Sequence, residues 1–291
     1  MRALVLGGDG RLALAELAEP DGPGALVHVR ACGLCGSDVE KLGRAAAGTV
    51  LGHELEGTLD DGTRVTVVHR VACGACERCA AGHESTCEEF AVARLAPGGF
   101  AERLRATHAI PLPDSIDERD GIWVEPLACI LRAVRLVSAG QVLVVGCGAV
   151  GLLWVQVLLG HGHEVVVSDP RPDRVARAVA LGAGAPAGDA GAAVVTSAAG
   201  LDGALARLEP GGTALLFSAP PDPFPTHLDA IYRRELRLVG SRSATLAAFA
   251  EAIELLPSLE LPPVTTLPLE RFAHGLDLYR RGDAYKVVFA P

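Results

Sequence analysis

The sequence predicts an α/β protein, and two stretches carry that prediction. Between Gln141 and Asp169 a short apolar run, Val142-Leu143-Val144-Val145, enters the turn Gly146-Cys147-Gly148-Ala149-Val150-Gly151. A helical stretch from Leu152 to Leu159 follows, and a second apolar run, Val165-Val166-Val167, ends in Ser168-Asp169. Strand, glycine turn, helix, and a strand tipped by an acid is the order of a dinucleotide-binding βαβ unit, the start of a doubly wound parallel sheet. The second stretch lies upstream, where alternating apolar residues predict half-buried strands around a cluster of four cysteines.

In the βαβ unit each glycine has its own task. Gly146 makes the tight turn, Gly148 lets the backbone approach a pyrophosphate, and Gly151 lets the helix pack close on the strand. The helix start, with the backbone of Ala149 and Val150, presents free N–H groups and the positive end of the dipole to phosphate. Asp169, 18 residues after Gly151, stands where an acid accepts hydrogen bonds from a ribose 2′-hydroxyl, which selects NAD over NADP. Arg171, two residues on, is the group that could serve a 2′-phosphate instead. Val142 to Gly160 is almost uncharged and long enough to imitate a membrane span. The three glycines in its first half and its lack of flanking charge clusters argue against insertion, and a strand buried on both faces is this apolar.

The 291 residues are enough for two domains, and 49% hydrophobic with 21% charged residues is the balance of a soluble globular chain. A net charge of −9 leaves no footprint for nucleic acid or an anionic membrane. Met1 to Leu6 is too short an apolar run for a signal peptide and lacks a cleavage pattern, so a cytoplasmic location is expected. Four of the eight cysteines, Cys73, Cys76, Cys79 and Cys87, form C-x2-C-x2-C-x7-C. Thiols so closely spaced favour one tetrahedral metal over pairing with each other, and a reducing compartment keeps them thiolate.

From the start of the chain, Ala3 to Leu6 reads as a strand and Gly7 to Gly10 as a turn. Leu12, Leu14 and Leu17 alternate, and Ala25 to Arg30 reads as a half-buried strand. His28 reads as a sheet or surface residue. Cys35-Gly36-Ser37-Asp38 and Gly52-His53-Glu54-Leu55-Glu56-Gly57 bring a zinc-competent thiol and imidazole, with carboxylates that could complete a site. Either fragment alone is weak, since a cysteine near a loop and a histidine before a strand are more often structural than metal-bound. His69 and His83 bracket a cysteine lobe that is already four-coordinate, and both read as solvated. After Asp169, Arg171 to Leu181 reads as a helix ending at Gly182, with Arg174 and Arg177 on its solvent side, within reach of an adenosine or simply a charged outer face. Val194 to Ser197, Thr213 to Ser218 and Leu236 to Val239 read as three more buried strands, and Thr245 to Leu256 as a helix.

Together these motifs resemble the zinc-dependent medium-chain dehydrogenase family, which includes alcohol, sorbitol and threonine dehydrogenases, over nearly the whole chain. The resemblance implies a GroES-like β-barrel catalytic domain, residues 1–124 completed by 261–291, and a Rossmann cofactor domain, residues 125–260. It implies that Cys35 and His53, with Glu54 as a candidate further donor, hold a catalytic zinc, and that Cys73, Cys76, Cys79 and Cys87 hold a structural one. Asp38 would orient His53, and Ser37 would take the substrate proton. Trp123-Val124-Glu125-Pro126-Leu127 looks like the polyol and threonine branch, in which a glutamate completes the catalytic site. Cys129, one turn on, is the rival donor; Pro126 suits a first helical turn and favours Glu125. Gly98-Gly99-Phe100-Ala101-Glu102, Pro111-Leu112-Pro113-Asp114 and Lys286-Val287-Val288-Phe289 match parts of the family that carry no chemistry.

Three departures stand out. Gly57 to Arg64 compresses a longer hairpin, and the Gly/Ala-rich Gly182 to Gly191 replaces a strand and helix. Glu40 stands where many members carry the histidine that passes the proton to solvent. The implied activity is hydride transfer between NAD(H) and a secondary alcohol or its ketone, the substrate being a polyol, sugar or amino alcohol. The implied assembly is a homo-oligomer, dimer or tetramer, with no nucleic-acid or membrane partner. A non-catalytic, zinc-stapled nucleotide sensor is the competing class, suggested by the deletions and by Glu40. A zinc-free quinone reductase would need neither Cys35 nor the cysteine lobe.

Overall fold

Strands form early in the chain where apolar residues alternate, and the computed structural model, which describes residues 1–138, 140–185, 188–220, 224–226 and 228–291, places them in a curled sheet. By contact the chain divides into two units. One comprises Met1–Ala128, Ala244–Ser258 and Pro263–Pro291; the other comprises Cys129–Ser243 and Leu259–Pro262.

The first unit is built on the long strand Ala25–Gly33. A register shift between Val29 and Ala31 bends it, so its two halves serve different neighbours. Ala25 to His28 pair with Arg103–Ala106, while Cys32 and Gly33 pair with Phe289 and Val288. The path across the sheet runs Val264–Pro268, Lys286–Ala290, Ala25–Gly33, Glu54–Thr58, Arg64–Val67, Ala109–Pro111. A strand from the far end of the sequence thus lies beside one from its beginning. The compressed segment from Gly57 is a tight antiparallel hairpin, closed by Leu59 N–H donating to Thr63 O at 2.9 Å. Phe100, Phe272 and Phe289 fill the core with Leu55, Val65 and Leu104. Phe100 meets Phe289 edge-on at 5.4 Å, a favoured aromatic geometry.

The second unit is a five-stranded parallel sheet in the order Glu164–Ser168, Gln141–Val145, Ala190–Val195, Leu208–Leu216, Arg237–Gly240. Its first helix, Ala149–Gly160, is buried at Leu152, Leu153, Trp154, Val155, Val157 and Leu158, which explains a stretch apolar on every side. No helix among the described residues is long and apolar enough to cross a membrane. Two strands begin earlier than their apolar runs, because Ala190-Gly191-Ala192 and Pro210-Gly211-Gly212 carry no side-chain alternation to read. The last strand corrects a sequence expectation. Arg237–Gly240 is an exposed edge rather than a buried strand: it pairs on one side only, and Leu238 is 41% exposed. Of the segment from Gly182 to Gly191, Gly184 bridges to Val166, and residues 186 and 187 lie outside the described residues. Thr245 caps the helix Leu246–Leu255 by accepting from Ala248 N–H at 3.3 Å.

Candidate functional site

Three donors converge where the curled sheet meets a short helix. Cys35 is the N-cap of the helix Gly36–Lys41. His53 and Glu54 lie at the entry of the next strand, behind Gly52, whose φ of 95° requires glycine. The ligand atoms of Cys35, His53 and Glu54 lie within 4.8 Å of one another, a gap that two metal–ligand bonds of about 2.0–2.3 Å nearly span. His53, His69 and Glu125 form a second such group. Glu125 belongs to the first turn of the helix Val124–Ala133 and is buried. Cys129, also buried, is in neither group among the described residues.

Asp38 fixes the imidazole. Its Oδ1 lies 3.3 Å from His53 Nδ1 and accepts from Gly52 N–H at 3.2 Å, while Oδ2 accepts from Cys35 N–H at 3.1 Å. Burial opposes charge on both partners, yet their mutual attraction prevails. Asp38 is held below the usual carboxylate range and His53 is raised well above the usual imidazole range. With Nδ1 committed to Asp38, Nε2 is the nitrogen left for a metal, the familiar carboxylate–histidine arrangement. Ser37 donates to Cys35 Sγ at 3.4 Å, so its hydroxyl stands beside the same donors. Glu40 does not join them: it is exposed on the same helix and pairs with Arg44 at 2.7 Å. Soft sulfur, imidazole and carboxylate together form a set that suits zinc.

Three residues here escaped the sequence reading. His69 is not solvated: it is half-buried after the strand Arg64–Val67, its ring 4.6 Å from that of His53. Burial first, then the His53 and Arg70 charges, push its pKa down to about 2. Lys286, on the closing strand, is buried and donates to Glu54 Oε2, with its Nζ also 5.6 Å from the Trp123 ring. Gly33 leaves room for that pair, because a Cβ there would meet Lys286 Cε at 2.6 Å and Glu54 Oε2 at 2.8 Å. Tyr279 places its hydroxyl over the helix start, where a Cβ on Gly36 would meet it at 2.9 Å. A buried lysine one residue before the apolar run Val287-Val288-Phe289 was the one available signal, since lysine is rarely buried without a partner. His83 is exposed, as expected.

The four-cysteine lobe forms a separate cluster with all four Sγ atoms within 4.8 Å. Cys76 and Cys79 Sγ lie 3.5 Å apart, and Cys73 and Cys79 Sγ 3.9 Å. A tetrahedron with Zn–S bonds near 2.3 Å requires edges of about 3.8 Å, so the sulfurs fit zinc. Backbone N–H groups of Cys73 and Cys76 point at Cys87 and Cys73 Sγ, 3.4 Å each. Such donors hold Cys73 below the ordinary thiol value and bring Cys87 down to about 6.

In the second unit the glycine turn has the dimensions its pattern implies. Gly146 has φ 98°. A Cβ on Gly151 would lie 1.8 Å from Gly146 O, whereas one on Gly148 would meet only Arg174 Nη1, at 3.6 Å. Gly148 therefore borders open space beneath a guanidinium, at the N-terminus of the helix Ala149–Gly160, a cradle suited to a pyrophosphate. Asp169 accepts from Cys147 N–H at 2.7 Å and from Arg171 N–H at 2.9 Å, which pins its carboxylate beside the turn. Arg174 thus lies against the loop and not simply on an outer face, whereas Arg177 is tied to Glu260 at 2.9 Å.

Residues 22–114 match the alcohol dehydrogenase GroES-like domain. The chain is 31% identical to the D-altritol 5-dehydrogenase of Agrobacterium fabrum over an alignment of 318 positions, covering 92% of this chain and 94% of that protein. It is 34% identical to the L-galactonate-5-dehydrogenase of Escherichia coli over 178 positions; that match covers 55% of this chain and spans about half of the relative, 52%. Among solved structures, an alcohol dehydrogenase from Thermus sp. ATN1 superposes with a TM-score of 0.81 at 26% identity, covering 100% of both chains.

Proposed function

This chain belongs to the zinc-dependent medium-chain dehydrogenase family, and from that premise we propose that it transfers hydride between NAD(H) and a secondary alcohol or the matching ketone, with a polyol or sugar alcohol as substrate. The observation that carries this reading is the convergence of Cys35, His53, Glu54 and Glu125 in two groups that share His53, with Asp38 behind the imidazole. The polyol class is supported by Glu125 in the place of a third strong donor and by the relative named for D-altritol.

Cys35, His53 and Glu125, with Glu54 as a candidate further donor, would hold the catalytic zinc, and the four-cysteine lobe would hold a second. A bound zinc supplies Lewis acidity that lowers the pKa of the alcohol. Asp38 accepts the Nδ1 proton of His53, fixing the tautomer that leaves Nε2 free. Ser37 takes the alcohol proton, and Glu40, on the exposed side of the same helix, is the candidate outer acceptor. Bound NAD would supply the hydride acceptor for the alcohol carbon, and the protein contributes placement and electrostatics.

Cofactor recognition falls to the second unit. Gly146, Gly148 and Gly151 shape the turn; with NAD bound, the Ala149 and Val150 N–H groups and Arg174 would serve the pyrophosphate and Asp169 the ribose hydroxyl. Asp169 favours NAD, since it would repel a 2′-phosphate. The reading extends to a cytoplasmic homo-oligomer, dimer or tetramer. It is supported by eight cysteines in thiol form and by the edge strand Arg237–Gly240, near in sequence to the exposed Leu228 and Tyr232. The test is NADH formation at fixed protein with a panel of polyols, sugar alcohols and amino alcohols. NADH with polyols is expected; a response to none of the panel would refute the substrate class.

A further inference from the structure

The two donor groups share His53, but His53 has one nitrogen to give. Its Nδ1 lies against Asp38 at 3.3 Å, which leaves Nε2 as the nitrogen for a metal. A single ion bound there has four other candidates, Cys35, Glu54, His69 and Glu125, for three remaining tetrahedral places. One must be left out.

Glu54 is the one already committed. Its Oε2 accepts from Lys286, and both side chains are buried, at 3% and 5% exposure. The missing Cβ of Gly33 makes room for them. A metal on the same carboxylate would set a second cation beside a buried ammonium, which is costly. His69, by contrast, has its backbone held by Arg94 N–H donating to its carbonyl at 2.9 Å. Its ring stands 4.6 Å from that of His53, with a donor atom within 4.8 Å of those of His53 and Glu125. We propose that His69 is a ligand of the resting metal centre with Cys35, His53 and Glu125, and that Glu54 serves to balance Lys286.

This inference rests on the metal reading above, and its test separates the two. Full-length protein loaded with Co(II) in place of zinc is compared by visible absorption and by metal retention against a chelator. His69→Phe, which keeps an aromatic ring against His53, should change the cobalt spectrum and weaken retention at this centre by about tenfold or more. His69→Cys should retain the metal and add thiolate-to-cobalt absorption, which a merely packed side chain would not give. Glu54→Gln should leave the spectrum as in the unsubstituted protein. If His69→Phe and His69→Cys both match the unsubstituted spectrum and retention while Cys35→Ser alters them, the inference fails and the metal reading stands. If Cys35→Ser is also without effect, both fail.

Discussion

His53 and Asp38 show how much of the site depends on single contacts. The carboxylate accepts from two backbone N–H groups and faces the imidazole, so its orientation is set before any metal arrives. Asp38→Asn keeps the shape but offers an amide where His53 Nδ1–H needs an acceptor. Metal affinity at this centre should fall by about 10–100-fold while the four-cysteine lobe keeps its zinc; stoichiometry measured during chelator titration checks this. The C-x2-C-x2-C-x7-C cluster was legible because its donors are neighbours in sequence. Cys35, His53 and Glu125 were legible as motifs. His69 was not: it follows His53 by 16 residues and precedes Glu125 by 56, with no spacing or periodicity to mark it. Glu54 and Lys286 are separated by 232 residues, and only the folded sheet brings them together.

The glycine turn separates two effects that sequence alone merges. Gly151→Ala drives a Cβ into Gly146 O, 1.8 Å away, and should cost the second unit at least about 2 kcal/mol in a urea titration. Gly148→Ala meets only a flexible guanidinium and should leave stability unchanged while weakening NADH binding by about tenfold. The pattern foretold the positive φ at Gly146 and the close approach at Gly151, since both follow from backbone geometry. It did not foretell that Arg237–Gly240 is an edge, because an apolar run does not reveal how many neighbours a strand has. In the first unit, Glu102 accepts from Arg2 N–H and Nε, both at 2.8 Å, and the backbone bond, then the side chain, holds its carboxyl below the ordinary value near 4.5. The folded protein therefore binds fewer protons there than the unfolded chain. This contribution to stability is present above the ordinary value and is lost as pH falls through the depressed one. Glu102→Gln should flatten the acid limb of a stability–pH curve below about pH 4.5 and leave its pH dependence above neutrality unchanged.

For the molecule as a whole, the proposed function makes one demand: turnover must depend on metal held by this chain. Fold class and the order of the βαβ unit were readable because they rest on local periodicity and turn chemistry. The contact boundary at Ala128 was not, because the helix Val124–Ala133 runs through it without interruption. The most direct measurement is NADH formation with an active polyol before chelation, after chelation, and after zinc alone is restored, with bound zinc counted at each stage. Two zinc ions per chain, loss of turnover when the more labile one leaves, and recovery on adding zinc are expected. Undiminished turnover by protein stripped of both ions would contradict the assignment of the Cys35–His53–Glu125 centre to catalysis.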